Sequence, residues 1–209
     1  IDAMAYISRN NYNFTPKDRE TNFGTMEDVK HFKVYFDGKE EDRFNSFFGT
    51  MKVTKKFGKN HALGLSFSGF STRERVTYDI QGQYWLNETN TDDQLGVGTY
   101  MEHARNTLKS SSVTLKTTYD AQLGKHYLQS GLSWKRESIE ENTREWEYRD
   151  SSGYSIPHTG NALNIIYNLK SINNISTNHM EFYAQDTYRT ESKVGILSVN
   201  YGARLSYWS

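Results

Sequence analysis

The side chains able to do chemistry are scattered along this chain. Its six histidines are His31, His61, His103, His126, His158 and His179, and no two stand at i, i+2 or i, i+4, the spacings that put two metal ligands on one element. Glu137, Glu140 and Glu141 form a carboxylate cluster. General acid–base work needs two such groups held toward a shared substrate, but these sit where a long alternating segment runs out into solvent. A glycine-rich phosphate loop and a nucleophile elbow are both missing. The Asn-x-Ser/Thr triplets at Asn13, Asn87 and Asn174 are too common a pattern to carry weight. We therefore expect no catalytic residue, no metal and no cofactor: the chain does not read as an enzyme. Ligand contact is the better use of its side chains. Tyr84, Trp85, Tyr100, His103, Trp146, Tyr148 and Tyr154 gather at or beyond one end of the alternating segments. Their flat faces suit stacking on a sugar, a porphyrin-like ring or a siderophore, or they form an aromatic girdle. Arg144, Arg149 and His158 would add charge or hydrogen bonds to an anionic ligand.

The elements that must hold these residues announce themselves by a period of two. Val113, Leu115, Thr117, Tyr119 and Ala121 alternate with Ser112, Thr114, Lys116, Thr118 and Asp120. Leu197, Val199, Tyr201, Ala203, Leu205 and Tyr207 alternate with Ser198, Asn200, Gly202, Arg204 and Ser206. The same holds for Met180, Phe182 and Ala184, and for Leu63, Leu65 and Phe67. Such alternation makes a strand with one apolar and one polar face. Strands are expected near 44–56, 61–84, 98–121, 126–148, 177–190 and 196–208. Gly58, Gly124 and Gly195 mark short turns at one end, since glycine supplies the positive φ a tight turn needs. The stretches 1–43, 85–97 and 149–176 read as long polar loops at the other end, and Pro16 and Pro157 both fall in them.

Composition narrows the class. The 25 basic and 25 acidic residues cancel, which removes the case for nucleic acid and for a polybasic membrane-surface segment. Cysteine is absent, so neither a disulfide framework nor a thiolate zinc site can form. Fifteen tyrosines accompany a low mean hydropathy. An outer-membrane β-barrel combines those two properties, because one strand face meets lipid while the other face and the loops are polar. No apolar run reaches the length of a membrane-spanning helix. Ile1-Asp2-Ala3-Met4 does not begin a signal peptide, so a mature chain or a fragment is expected. The expected fold is all-β: an antiparallel up-and-down transmembrane β-barrel segment of about six long strands, with short periplasmic turns and long extracellular loops. Residues 1–43 would be extracellular loop and 44–209 part of the barrel. The apolar set Val113, Leu115, Tyr119, Met180, Phe182, Leu197, Val199 and Leu205 should face outward, and Lys116, Asp120, Glu181 and Arg204 inward.

The segment Phe182-Tyr183-Ala184-Gln185-Asp186-Thr187-Tyr188, a short turn, and then Leu197-Ser198-Val199-Asn200-Tyr201-Gly202-Ala203-Arg204 resembles the barrel of TonB-dependent outer-membrane receptors. In that family an aromatic-x-Gln-Asp strand pairs with a strand ending Gly-x-Arg. Gly38–Phe44 and Tyr78–Leu86 are similar to the large-looped members, which carry carboxypeptidase-like regulatory and plug domains upstream. The resemblance implies the cell outer membrane of a Gram-negative bacterium and active import of a nutrient ligand. It implies as partners the outer-membrane lipid, a TonB-type energy-transducing protein acting through a plug that this stretch does not contain, and a surface lipoprotein. A family barrel has 22 strands, so six are expected to be part of a larger polypeptide, for open edges would aggregate. Two other readings fit the alternation: a passive porin or adhesive outer-membrane barrel, and a soluble extracellular β-sandwich that binds glycans.

Overall fold

A computed structural model describes residues 1–26, 29–88, 94–150 and 165–209. These residues form eight strands and no helix: β1 (Asp2–Phe14), β2 (Arg19–Gly24), β3 (Val29–Phe57), β4 (His61–Glu88), β5 (Gln94–Leu123), β6 (His126–Asp150), β7 (Ile165–Ser192) and β8 (Gly195–Trp208). All lie in one antiparallel sheet of order β1-β3-β4-β5-β6-β7-β8, with β2 on the same edge of β3 as β1. From β3 to β8 every strand pairs with its successor, an up-and-down meander without a crossover. The described strands make a single open sheet with no second layer, so the inter-sheet core that a β-sandwich requires is not formed by them.

The three short turns share one end of the sheet, as the glycines predict. Gly58 (φ 66°) and Gly124 (φ 63°) take left-handed conformations, and β7 returns as β8 through Lys193 and Val194. The first two turns are each tied to the next hairpin: Gln122 N donates to Asn60 O at 2.8 Å, and Arg189 N to Lys125 O at 2.8 Å. At the other end the segments around Asn90 and Ser152 lie outside the described residues.

The strands reach further than the sequence reading expected. The stretch read as a loop, 1–43, holds β1, β2 and the first half of β3, so the sheet has eight strands where about six were expected. Likewise β4 runs to Glu88, β5 begins at Gln94 and β7 at Ile165, which leaves much less than 85–97 and 149–176 for connections. The loop reading does hold at Pro16. Phe14 pairs with Glu40 and Arg19 with Val34, so residues 15–18 interrupt an edge strand that otherwise continues. Proline cannot donate to a ladder, and the break faces Gly38, whose φ of 113° excludes a side chain. A Cβ there would stand 1.9 Å from the Asp79 carbonyl oxygen.

Cross-strand register assigns every residue to a face. Met51, Phe67, Leu115, Trp134, Met180 and Tyr207 form one row across the sheet, and the next residues along, Lys52, Ser66, Lys116, Ser133, Glu181 and Ser206, form a row on the opposite face. All eight side chains expected to share the apolar face do so, and Lys116, Asp120, Glu181 and Arg204 take the other. With Lys55, Arg136 and Asp186 as exceptions on the apolar face, this assignment holds from the turns up to a row of serines, Ser71, Ser111, Ser138 and Ser176, beside Phe47. Beyond it the faces exchange character. The face that was apolar carries Arg73, Arg75, Arg105, Lys109, Glu140 and Arg144, and the face that was polar carries Val34, Phe36, Val76, Ile80, Tyr84 and Leu108. Val34 and Ile80 (each 8% exposed) and Ala104 (0%) on that second face are among the most buried side chains of the sheet.

Candidate functional site

Beyond the serine row, the face that is polar nearer the turns becomes an aromatic wall. The Phe32 and Tyr84 rings stack at 5.9 Å between centroids, Tyr84 meets Tyr100 at 6.1 Å, and Tyr100 meets Phe36 edge-on at 6.4 Å. Register places Phe32, Tyr84 and Tyr100 diagonally on successive strands, and Phe36 and Tyr100 in one row on either side of Gly82. Gly82 makes the cluster possible. A Cβ there would stand 2.4 Å from Tyr100 Cε1 and 3.3 Å from Phe36 Cε1, so the Tyr100 ring occupies the space that any other residue would fill.

Carboxylates share this wall: Glu40, Glu102, Glu145 and Glu147. Arg149 pairs with Glu147, Asn106 Nδ2 donates to Glu145 Oε1 at 2.5 Å, and the Tyr167 hydroxyl donates to Glu145 Oε2 at 3.1 Å. Burial, and then the Glu147 carboxylate, push the Glu102 carboxyl above its ordinary range, with Arg149 opposing. Burial, then Glu145 and Glu102, push the Tyr78 phenol up to about 12, so it stays a neutral hydrogen-bonding group at neutral pH. Aromatic faces beside carboxylates can stack on a ring or sugar while accepting hydrogen bonds from its hydroxyl or amino groups.

The sequence-predicted residues divide between the two faces. Tyr84 and Tyr100 belong to the aromatic wall. Trp85, His103, Trp146 and Tyr148 point to the other side. There the His103 and Trp146 rings stack at 5.1 Å, and the His103 Nδ1 lies 2.6 Å from Asp79 Oδ1. Trp146 and Tyr148, with Gln81, Met101, Ile165 and Asn168, line a hollow of about 410 Å³ that Tyr100 also borders. Arg149 is on the wall and Arg144 on the opposite face. Tyr154 and His158 lie outside the described residues. Phe32, Phe36, Ile80, Gly82, Glu102 and Glu147 are wall residues that sequence reasoning missed. Their signal was the switch of apolar residues from odd to even positions along β3, β4 and β5.

A second polar site lies on the same side of the sheet, nearer the turns. Gln129 Nε2 donates to Asp120 Oδ1 at 3.0 Å, the Tyr127 hydroxyl to the same oxygen at 3.3 Å, and Gln185 Nε2 to Gln129 Oε1 at 2.6 Å. Lys116 Nζ stands 5.6 Å from the centre of the Tyr183 ring, and Arg204 Nε pairs with Glu181 at 2.9 Å. A larger hollow, about 620 Å³, opens here beside Gln129, Tyr183, Gln185 and Arg204. Its small polar groups hydrogen-bond one another, whereas the wall sets a cluster of aromatic rings beside carboxylates, so we favour the wall as the ligand surface. The two motif strands pair in register, with Gln185 opposite Gly202 and Tyr183 opposite Arg204.

No family model matches this chain, and no curated protein matches it. Among solved structures it is similar to the outer membrane transporter YddB from Escherichia coli, at 13% identity and a TM-score of 0.28 over 97% of this chain and 34% of that one. It is similar to BauA, the ferric preacinetobactin receptor from Acinetobacter baumannii, at 7% identity and a TM-score of 0.25 over 99% of this chain and 41% of that one. A further similarity is to the siderophore receptor PiuA from the same species, at 9% identity and a TM-score of 0.19 over 99% of this chain and 45% of that one. The chain spans less than half the length of each of these proteins.

Proposed function

We propose that this sheet is part of the wall of an outer-membrane β-barrel that imports a nutrient ligand with energy from a TonB-type protein. The observation that carries the reading is the exchange of faces at the serine row. On the turn side of that row, one face is predominantly apolar across six strands, interrupted by Lys55, Arg136 and Asp186. Met51, Phe67, Leu132, Met180 and Phe182 are each about half exposed there, and Leu205 more so. The band runs from Phe57 to Phe47, eleven residues of β3. At 3.3 Å per residue and the usual tilt of about 45°, it covers roughly 25 Å, the height of the apolar belt of an outer-membrane barrel. Tyr119, Tyr188 and Tyr201 fringe its turn end, where amphipathic rings meet the interface.

Past the serine row the exterior becomes charged because water replaces lipid, and apolar residues move to the interior. Val29–Ser46 then carries the wall on for roughly 40 Å at the same tilt. The aromatic and acidic surface lines the inside of this tall extramembrane portion, a position suited to holding a ligand before transport. Energy coupling rests on the resemblance of the Gln185-Asp186 and Gly202-x-Arg204 strands to TonB-dependent receptors, and a passive porin has no need of such a ligand surface. The test is nutritional. A strain lacking the full-length gene is grown on a panel of glycans, haem and ferric siderophores. The nutrient whose use is lost should also become unusable when the TonB-type protein is removed. A loss that is indifferent to that protein would assign the barrel to passive diffusion.

A further inference from the structure

The face that carries Arg73 and Arg75, just past the serine row, holds more arginines than its carboxylates pair with. Arg73, Arg75, Arg105 and Arg144, with Thr77 and Asn142, line a groove of about 300 Å³. Arg43 stands directly opposite Arg75 in the β3–β4 register, and like charges in that position repel. Ladder pairing between β5 and β6 skips residues 105 and 106, between Ala104↔Glu145 and Thr107↔Asn142, which brings Arg105 beside Arg144. In that gap Arg144 N donates to Asn106 Oδ1 at 3.1 Å. The carboxylates of this face are already engaged: Glu41 by Arg43, Asp79 by Arg105 and His103, and Glu140 by Lys109. Arg73, Arg75 and Arg144 are in no ion pair among the described residues.

Height gives the surplus a meaning. Arg73 and Arg75 follow the serine row by two and four residues on β4. At the tilt used above they stand roughly 5 and 9 Å beyond the apolar band, within or just above the headgroup layer of a bilayer. Guanidinium groups match phosphate oxygens two at a time. We propose that this groove binds the phosphate groups of lipid headgroups in the surrounding outer leaflet and so fixes the height of the barrel in the membrane. The inference rests on the outer-membrane reading.

The probe is diphosphoryl lipid A, with dephosphorylated lipid A as the comparison, added to the detergent-purified full-length protein; retained lipid is read by native mass spectrometry. The intact protein should retain the diphosphoryl form. The combined variant Arg73→Gln, Arg75→Gln, Arg144→Gln should retain at least tenfold less, while Lys52→Gln, on the opposite face, should retain as much as the intact protein. Millimolar inorganic phosphate should not displace the lipid. Equal retention by the triple variant, equal retention of dephosphorylated lipid A, or displacement by free phosphate would each overturn the proposal. Quenching of Trp134, in the middle of the apolar band, by brominated lipid separates the two failures. If quenching persists without lipid retention, the barrel stands and the phosphate site falls. If Trp134 is not quenched, the membrane reading itself falls.

Discussion

Tyr100 lies across Gly82 as Tyr183 lies across Gly131, each ring filling the place of the missing Cβ on a neighbouring strand. The first pair builds the aromatic wall and the second supports Lys116 by a cation–π contact. If the wall holds ligand, Tyr84→Ala combined with Tyr100→Ala should weaken ligand binding at least fivefold, about 1 kcal/mol for the lost stacking. Trp146→Ala, on the outer face, should leave affinity unchanged. Titration of the nutrient identified by growth checks this, and the reverse pattern would move the site to the outer hollow. Gly38 makes a different demand, because its φ of 113° and the Asp79 carbonyl leave no space for a side chain. Gly38→Ala should destabilise the folded protein by about 1–3 kcal/mol in denaturant unfolding. An unchanged midpoint would mean that β3 relaxes locally.

At the scale of the strand, alternation decides which solvent each face meets. Leu115 and Thr114 are neighbours at one height on opposite faces. Leu115→Arg should cost about 2–4 kcal/mol of stability in a bilayer because it places a charge in hydrocarbon, and Thr114→Arg should cost far less. Denaturant unfolding of both variants in the same lipid measures the difference, and equal costs would deny that these faces differ. The six strands read from sequence, their turns and their apolar faces all follow from clean alternation, and the structure reproduces them. What escaped notice is the outer half of β3 and of β7. There the period of two continues, but the apolar residues change parity: Phe32, Val34 and Phe36 are even where Phe47, Met51 and Val53 are odd. A reader following the odd positions sees the pattern end and assigns a loop. β1 was hidden for another reason, since its Asn-rich second half has no apolar face for alternation to reveal. For the candidate site, aromatic type marked Tyr84 and Tyr100, which the sheet brings into contact. Only register could separate them from Trp85, His103, Trp146 and Tyr148 on the other side.

For the molecule as a whole, a formal charge of zero conceals a separation. Past the serine row Glu40, Glu74, Glu102, Glu145 and Glu147 lie on one face of the sheet, and Arg43, Arg73, Arg75, Arg105 and Arg144 on the other. Composition alone excluded a basic membrane contact, because it averages over two faces that meet different surroundings. The same separation gives the sheet an acidic face and a basic face past the serine row. The central claim is that the outer face passes from lipid to water at the serine row. Single cysteines at Leu63, Leu65, Phe67, Arg73, Arg75 and Thr77, all on the outer face of β4, can carry nitroxide labels in the full-length protein reconstituted in liposomes. We predict that labels at 63, 65 and 67 are relaxed by oxygen and shielded from a water-soluble nickel chelate, and that those at 73, 75 and 77 show the opposite preference. Uniform accessibility along the six positions, or a lipid-facing signal at 75, would contradict the account.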